Sequence, residues 1–176
     1  MGLAFGTATE DMDALTFGSK HLIRGFNSKK EPVTQIELAA VLEGFGMSME
    51  EFIDLCIMCG CDYTKTIGGI GPVRAFNLME QNRTIEACLE KIQEVNDDPK
   101  KKSKYIIPEN FLYRESRALF VEPDVIRDRT ELDAMLKWSK PDTEAIKAFL
   151  VEEKAFTENK VNSGLTKLAN CQGKVN

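Results

Sequence analysis

Carboxylates are the side chains of this sequence best placed to do chemistry. Glu10, Asp11 and Asp13 crowd one short stretch. Asp11 and Asp13 stand two apart, so on an extended segment both side chains leave the same face and can reach one hard cation or a close pair of cations. A third acid, Asp62, follows an apolar stretch in Gly60-Cys61-Asp62-Tyr63. A carboxylate immediately beyond a buried helix is costly unless something pairs with its charge.

An acidic-x-acidic pair has other uses. It recurs as a solvated strand end, and haloacid-dehalogenase-like phosphatases place it after an apolar strand with Thr two residues beyond the second Asp. Here Leu15 occupies that place and Thr16 comes one later, which sets that reading aside. Beside the acids stands a second candidate, Thr66-Ile67-Gly68-Gly69-Ile70-Gly71-Pro72, a tight glycine-rich turn with Pro72 suited to the first position of a helix from Val73 to Glu80. Glycines such as Gly69 and Gly71 let the backbone approach a phosphate, helix-start amides point at it, and Arg74 on the first turn adds charge. The same pattern also serves as a tight corner between helices that binds nothing. Lys100, Lys101, Lys102 and Lys104 form a basic run that reads as a solvated loop or as a phosphate contact.

The elements that must hold these groups can be read from periodicity and caps. Leu3 to Thr9 is apolar, small and β-tolerant and reads as a strand ending in the acidic cluster. His21 to Phe26 reads as a second strand, Gly25 to Pro32 as turn, and Ile36 to Phe45 as a helix ending at Gly44 to Gly46. Ser48-Met49-Glu50-Glu51 has the capping-box pattern, with Met47 and Phe52 placed for a hydrophobic staple. Phe52 to Cys59 then leaves almost no polar face, so this helix should be buried on most sides until Gly60 stops it. Further helices are expected over Ile85 to Val95, Phe111 to Phe120, Thr143 to Phe149 and from Thr157 to Leu168. No internal repeat is evident.

Composition sets outer bounds. The chain has 176 residues, 43% hydrophobic and 29% charged, as for one globular domain. No apolar run approaches the roughly 18 residues of a membrane span, and Met1 to Phe5 lacks the features of a secretory signal, so an intracellular protein is expected. Five cysteines, three of them at Cys56, Cys59 and Cys61, suit reduced thiols. Their spacing invites a zinc reading, but a structural site usually takes four ligands and the only histidine is the distant His21, read as a packing or surface residue. The formal charge of -5 argues mildly against nucleic acid, although net charge is not the field at one surface.

The segments Ala8 to Gly18 and Gly60-Cys61-Asp62-Tyr63 with Ile67 to Arg74 resemble the flap endonucleases, structure-specific 5′-nucleases. The likeness continues in family order through Ile107-Pro108-Glu109-Asn110, Leu119 to Pro123, Lys137-Trp138-Ser139 and Phe156 to Leu168. It implies an α/β fold, predominantly helical here: the last strands of the nuclease core over 1–30, and a helical region over 31–96 with a helix-two-turn-helix at 48–81. A basic loop at 97–108, a helical part at 109–170 and a frayed tail at 171–176 complete that PIN-like arrangement.

By the same resemblance Asp11, Asp13 and Asp62 are metal ligands, normally of magnesium, in the cleavage of a phosphodiester near a 5′ flap during DNA replication and repair in the nucleus. Thr66, Gly69, Gly71 and Arg74 then grip duplex DNA, and Thr66, Ile67 and Ile70 stand where family members bind potassium. Gly68 and Val73 fall where close relatives often carry basic residues, which implies a duplex grip that is weaker or supplied elsewhere, with Arg74 remaining. Family members also carry, upstream of the segment matching Ala8, further acids, phosphate-positioning residues and a helical arch. The 176-residue chain alone is therefore expected to show little or no nuclease activity, and the missing N-terminal fragment is a candidate partner. After Leu168 only Ala169 to Asn176 follow, so docking on a sliding clamp through the family's terminal motif is not expected. A non-catalytic DNA-binding module that keeps the hairpin is the other reading.

Overall fold

A computed structural model describes residues 4–26, 32–101, 104–137 and 139–171. The expectations placed on Leu3, Lys102, Trp138 and the tail beyond Cys171 lie outside the described residues. The chain forms two compact units that meet in sequence between Val125 and Ile126.

The first unit opens with a small sheet. Strands β1 (Thr7–Ala8), β2 (His21–Arg24) and β3 (Thr34–Glu37) lie in that order, β1 parallel to β2 and β3 antiparallel to it. The expected strand up to Thr9 is only two residues long, although Thr9 N still donates to the Ile23 carbonyl at 3.1 Å, and beyond Thr9 side chains capture the next backbone donors. Asp11 N donates to Thr9 Oγ1 at 3.1 Å, and Asp13 N donates to Asp11 Oδ1 at 2.9 Å. Such bonds offer the backbone an alternative to the ladder. The chain turns there and enters a short helix, α1 (Asp13–Thr16).

The helix expected from Ile36 starts later. Ile36 pairs with Leu22 and Glu37 with His21 in the sheet, and α2 (Leu38–Phe45) begins only after Glu37, still extended at φ −96°. Helix α3 (Met49–Cys59) forms as its sequence dictates. Glu51 N donates to Ser48 Oγ at 3.2 Å while Ser48 N donates to the Glu51 carboxylate at 2.7 Å, so both halves of the capping box are made. The expected staple is not paired: Met47 joins the larger core cluster and Phe52 the smaller one.

Three more helices complete this unit: α4 (Pro72–Asn82), α5 (Ile85–Asp97) and α6 (Tyr113–Val121). Phe52, Ile53, Leu55, Ile57 and Met58 of α3 are all buried, which makes α3 the central post. Around it, Ala75 and Met79 of α4, Ile85, Cys88 and Ile92 of α5 and Phe120 of α6 close the larger core. Leu15 and Leu22 meet Phe52 on the side of the sheet.

The second unit contains α7 (Arg129–Met135), α8 (Thr143–Lys147), a π-helical segment Ala148–Glu153 and α9 (Glu158–Cys171). Its caps are local: Asp128 accepts from Glu131 N at 2.8 Å and Asp142 from Ala145 N at 3.0 Å. Helix α7 was not among the expected elements. The described part of α9 runs past Leu168 to Cys171.

Candidate functional site

The acids come from two turns, one before α1 and one after α3. Asp11 is exposed, and Asp13 is half-buried at the first position of α1. Because the chain turns between them, the expectation of two side chains leaving one face of an extended strand does not hold. Asp62 is exposed. Its expected desolvation cost is absent because Gly60, at φ +117°, ends α3 and turns the chain outward.

Aromatic packing ties the two turns together. Phe120 of α6, 3% exposed, lies with its ring 4.9 Å from that of Phe17, next to α1, and 5.3 Å from that of Tyr63, next to Asp62. Partial burial and then the charges of Asp11 and Asp62 push the Asp13 carboxyl above its ordinary value. The Tyr63 hydroxyl is likewise pushed up, by burial first and then by the same acids. The three acids thus share one electrostatic neighbourhood. Glu10 stands apart from them, accepting from Gly25 N at 2.8 Å and lying 3.4 Å from Arg24.

Among the described residues no three carboxylate, histidine or cysteine side chains converge closely enough to hold a metal ion. The donor chemistry of the acid neighbourhood nonetheless suits a hard cation: two exposed carboxylates flank a third whose ionisation their charge opposes, and a divalent cation would relieve that opposition. The cysteines offer no such fit. Among the described residues they join no cluster that could hold a metal, and burial, with Cys59, Asp13 and Cys61 nearby, pushes the Cys56 thiol up to about 12.

The glycine hairpin follows Asp62 directly. Ile67 and Ile70 are buried at 1% and 7% exposure, and Ile70 N donates to the Ile67 carbonyl at 3.1 Å. Gly71 precedes Pro72 as the N-cap of α4, and its carbonyl accepts from Ala75 N at 2.9 Å. Thr66 is exposed, and its methyl group would lie 2.9 Å from a Cβ placed on Gly60. Arg74 does not reach freely outward: its Nη1 donates to the Gly69 carbonyl at 2.6 Å and its guanidinium lies 6.0 Å from the centre of the Tyr105 ring.

Several residues that shape the site carry no local sequence signal. Phe120 spans the two acid turns, Thr64 Oγ1 accepts from Leu112 N at 2.7 Å, and Asn96 holds the backbone of Tyr105 through bonds of 2.8 Å in both directions. Phe120 and Thr64 act across long stretches of chain, and Asn96 acts across the loop that follows α5. The basic run is partly spent on structure, since Lys104 Nζ donates to the carbonyls of Asn96 and Asp98.

A family model described as the XPG I-region matches residues 1–62. The flap endonuclease 1 of Tetrahymena thermophila is 47% identical over 168 residues, which make up 96% of this chain and 43% of that relative. Among solved structures, the flap endonuclease-1 from Methanococcus jannaschii aligns with a TM-score of 0.68 at 29% identity, over 96% of this chain and 47% of its own. The catalytic core of Rad2 in complex with DNA substrate aligns with a TM-score of 0.65 at 20% identity, over 93% and 56%, a likeness of fold.

The fold is that of the structure-specific 5′-nucleases, α/β and predominantly helical in this part. Nearly the whole chain is similar to one part of the flap endonucleases. It spans less than half the length of the curated relatives it matches.

Proposed function

We propose that this chain supplies part of the working site of a flap endonuclease that cuts 5′ flaps in branched DNA by metal-assisted phosphodiester hydrolysis, in nuclear replication and repair. One observation carries the reading: Asp11 and Asp62, from two separate stretches, both act on the Asp13 carboxyl, and Asp62 stands just ahead of a glycine hairpin that opens a helix. Asp11, Asp13 and Asp62 are the residues that would hold magnesium. A bound magnesium ion polarises a phosphoryl oxygen and makes a water easier to ionise.

The chain's own residues do the rest. Phe120 keeps the two acid turns at a fixed spacing. Gly69, Gly71 and the amides at the start of α4 approach a phosphate of the duplex, with Arg74 adding charge. The Thr66 hydroxyl and the carbonyls of Ile67 and Ile70 offer oxygens to potassium, and the Ile67 carbonyl, already bonded to Ile70 N, keeps one lone pair for it. Three carboxylates suit one magnesium ion that retains several waters. A second ion at the roughly 4 Å spacing of two-metal chemistry needs more acids, so the chain alone has little or no cutting activity.

The test is a magnesium titration by calorimetry together with a 5′-flap assay. Magnesium should bind weakly, Asp11→Asn and Asp62→Asn should each weaken it further, and the flap should be bound but not cut. Equal magnesium binding by both variants, or rapid cutting by the chain alone, overturns the reading. A second reading, a DNA-binding module without chemistry, is favoured by the open spacing of the acids among the described residues. It requires DNA binding indifferent to magnesium and to all three acids.

A further inference from the structure

The hairpin does not hold itself. Gly68 N donates to the Ile106 carbonyl at 2.8 Å, and Ile106 N returns a bond to the Gly68 carbonyl at 3.1 Å, a two-bond antiparallel bridge to a remote part of the chain. What keeps Ile106 opposite Gly68 is its neighbour. Tyr105 N donates to Asn96 Oδ1 at 2.8 Å, and Asn96 Nδ2 donates to the Tyr105 carbonyl at 2.8 Å. A side-chain amide near the end of α5 thus satisfies both backbone groups of one residue, as a neighbouring strand would.

The consequences reach the tip of the turn. Tyr105 so held sets its ring against Gly69, where a Cβ would meet the ring at 3.2 Å and where φ is +87°. The same ring faces the Arg74 guanidinium that donates to the Gly69 carbonyl. We infer that Asn96 is a positioning residue for the hairpin: by clamping Tyr105 it fixes the Gly68–Gly69 backbone and the Arg74 guanidinium in the arrangement that meets a DNA phosphate. The inference rests on the hairpin being a phosphate grip, and it adds a residue on α5 that touches no ligand.

Two measurements on the 176-residue chain test it. The first needs no ligand. In Asn96→Ala, the hydrogen-exchange protection of the Gly68 amide should fall by roughly tenfold, the order of one lost hydrogen-bond pair, while amides in the middle of α3 keep theirs. Asn96→Asp keeps an acceptor for Tyr105 N but loses the donor to its carbonyl, and should fall in between if Asn96→Ala does not fold. Unchanged protection at Gly68 in either folded variant overturns the inference.

The second uses a blunt DNA duplex across a salt series. Arg74→Ala should lower the slope of log affinity against log salt by about one, as for one lost phosphate contact. In the Asn96→Ala background the same replacement should change the slope little, because the guanidinium is no longer held in place. If Arg74→Ala matters equally in both backgrounds, Asn96 has no part in the grip and the inference fails, while the hairpin reading stands. If Arg74→Ala changes nothing in the parent chain, the hairpin reading is the one that fails.

Discussion

Arg117 closes on Asp54 through two parallel bonds, Nε to Oδ1 at 2.6 Å and Nη2 to Oδ2 at 2.8 Å. Asp54 is 5% exposed in the middle of α3, and it also accepts from Ile85 N at 3.2 Å, so one carboxylate joins α3, α5 and α6. Arg117→Ala leaves that carboxylate buried without its counter-ion, at a cost on the order of 3–5 kcal/mol. Urea unfolding should show the loss as a lower midpoint, whereas breaking an exposed pair with Arg129→Ala should change stability by under about 0.5 kcal/mol.

Arg117 also reaches Glu86, and the bond holds the Glu86 carboxyl below its ordinary value of 4.5. A depressed carboxyl contributes stability that is present above the unfolded value and is lost as pH falls through the folded one. Glu86→Gln should therefore lower the melting temperature at pH 7. The gap between the variant and the parent chain should close as the pH is taken below about 4, the region under the reference carboxyl range. An equal gap at both ends of the series contradicts the assignment.

Phe120 is the other long-range anchor. Phe120→Ala should destabilise the first unit by about 3–5 kcal/mol, the usual range for emptying a buried aromatic site. Phe120→Leu keeps an apolar side chain filling most of the space but loses the ring contacts to Phe17 and Tyr63. It should unfold at a smaller cost, about 1–2 kcal/mol. If the proposed metal site is right, magnesium binding by Phe120→Leu should also weaken with the fold intact.

At the end of α4, Arg83 sits at φ +68°, where a side chain costs roughly 1–2 kcal/mol relative to glycine. Its Nη1 donates to the Gly46 carbonyl at 3.0 Å, a bond worth about 1 kcal/mol. Arg83→Ala loses the bond and keeps the strain, so thermal unfolding should show about 1 kcal/mol of destabilisation. Arg83→Gly loses both and should match the parent to within roughly 1 kcal/mol.

What could be read from the sequence was what the sequence decides locally. The capping box of α3, its buried faces, its stop at Gly60 and the entry of Pro72 into α4 all depend on residues within one turn of each other. The errors sit where distant chain wins. Thr34 to Glu37 became a strand because β2 offered a partner, and the acid segment turned because Thr9 and Asp11 bonded to backbone amides instead of leaving them to the sheet. Asp62 was expected to be a costly charge because the residues before it are buried, but a single left-handed glycine reversed that. Thr64 and Phe120 gave no signal because each acts on a residue far away in sequence, and Asn96 gave none because its partner Tyr105 lies beyond the end of its helix.

Phe120 stands on α6, the same helix whose Arg117 is clamped to the buried centre of α3. The two acid turns lean on one ring, and that ring is bolted through its own helix to the most deeply buried part of the unit. The spacing of the carboxylates is therefore inherited from the interior and is not adjusted at the surface. A mutation anywhere in that interior that shifts α6 along α3 changes the width of the acid gap, even where it leaves every acid in place.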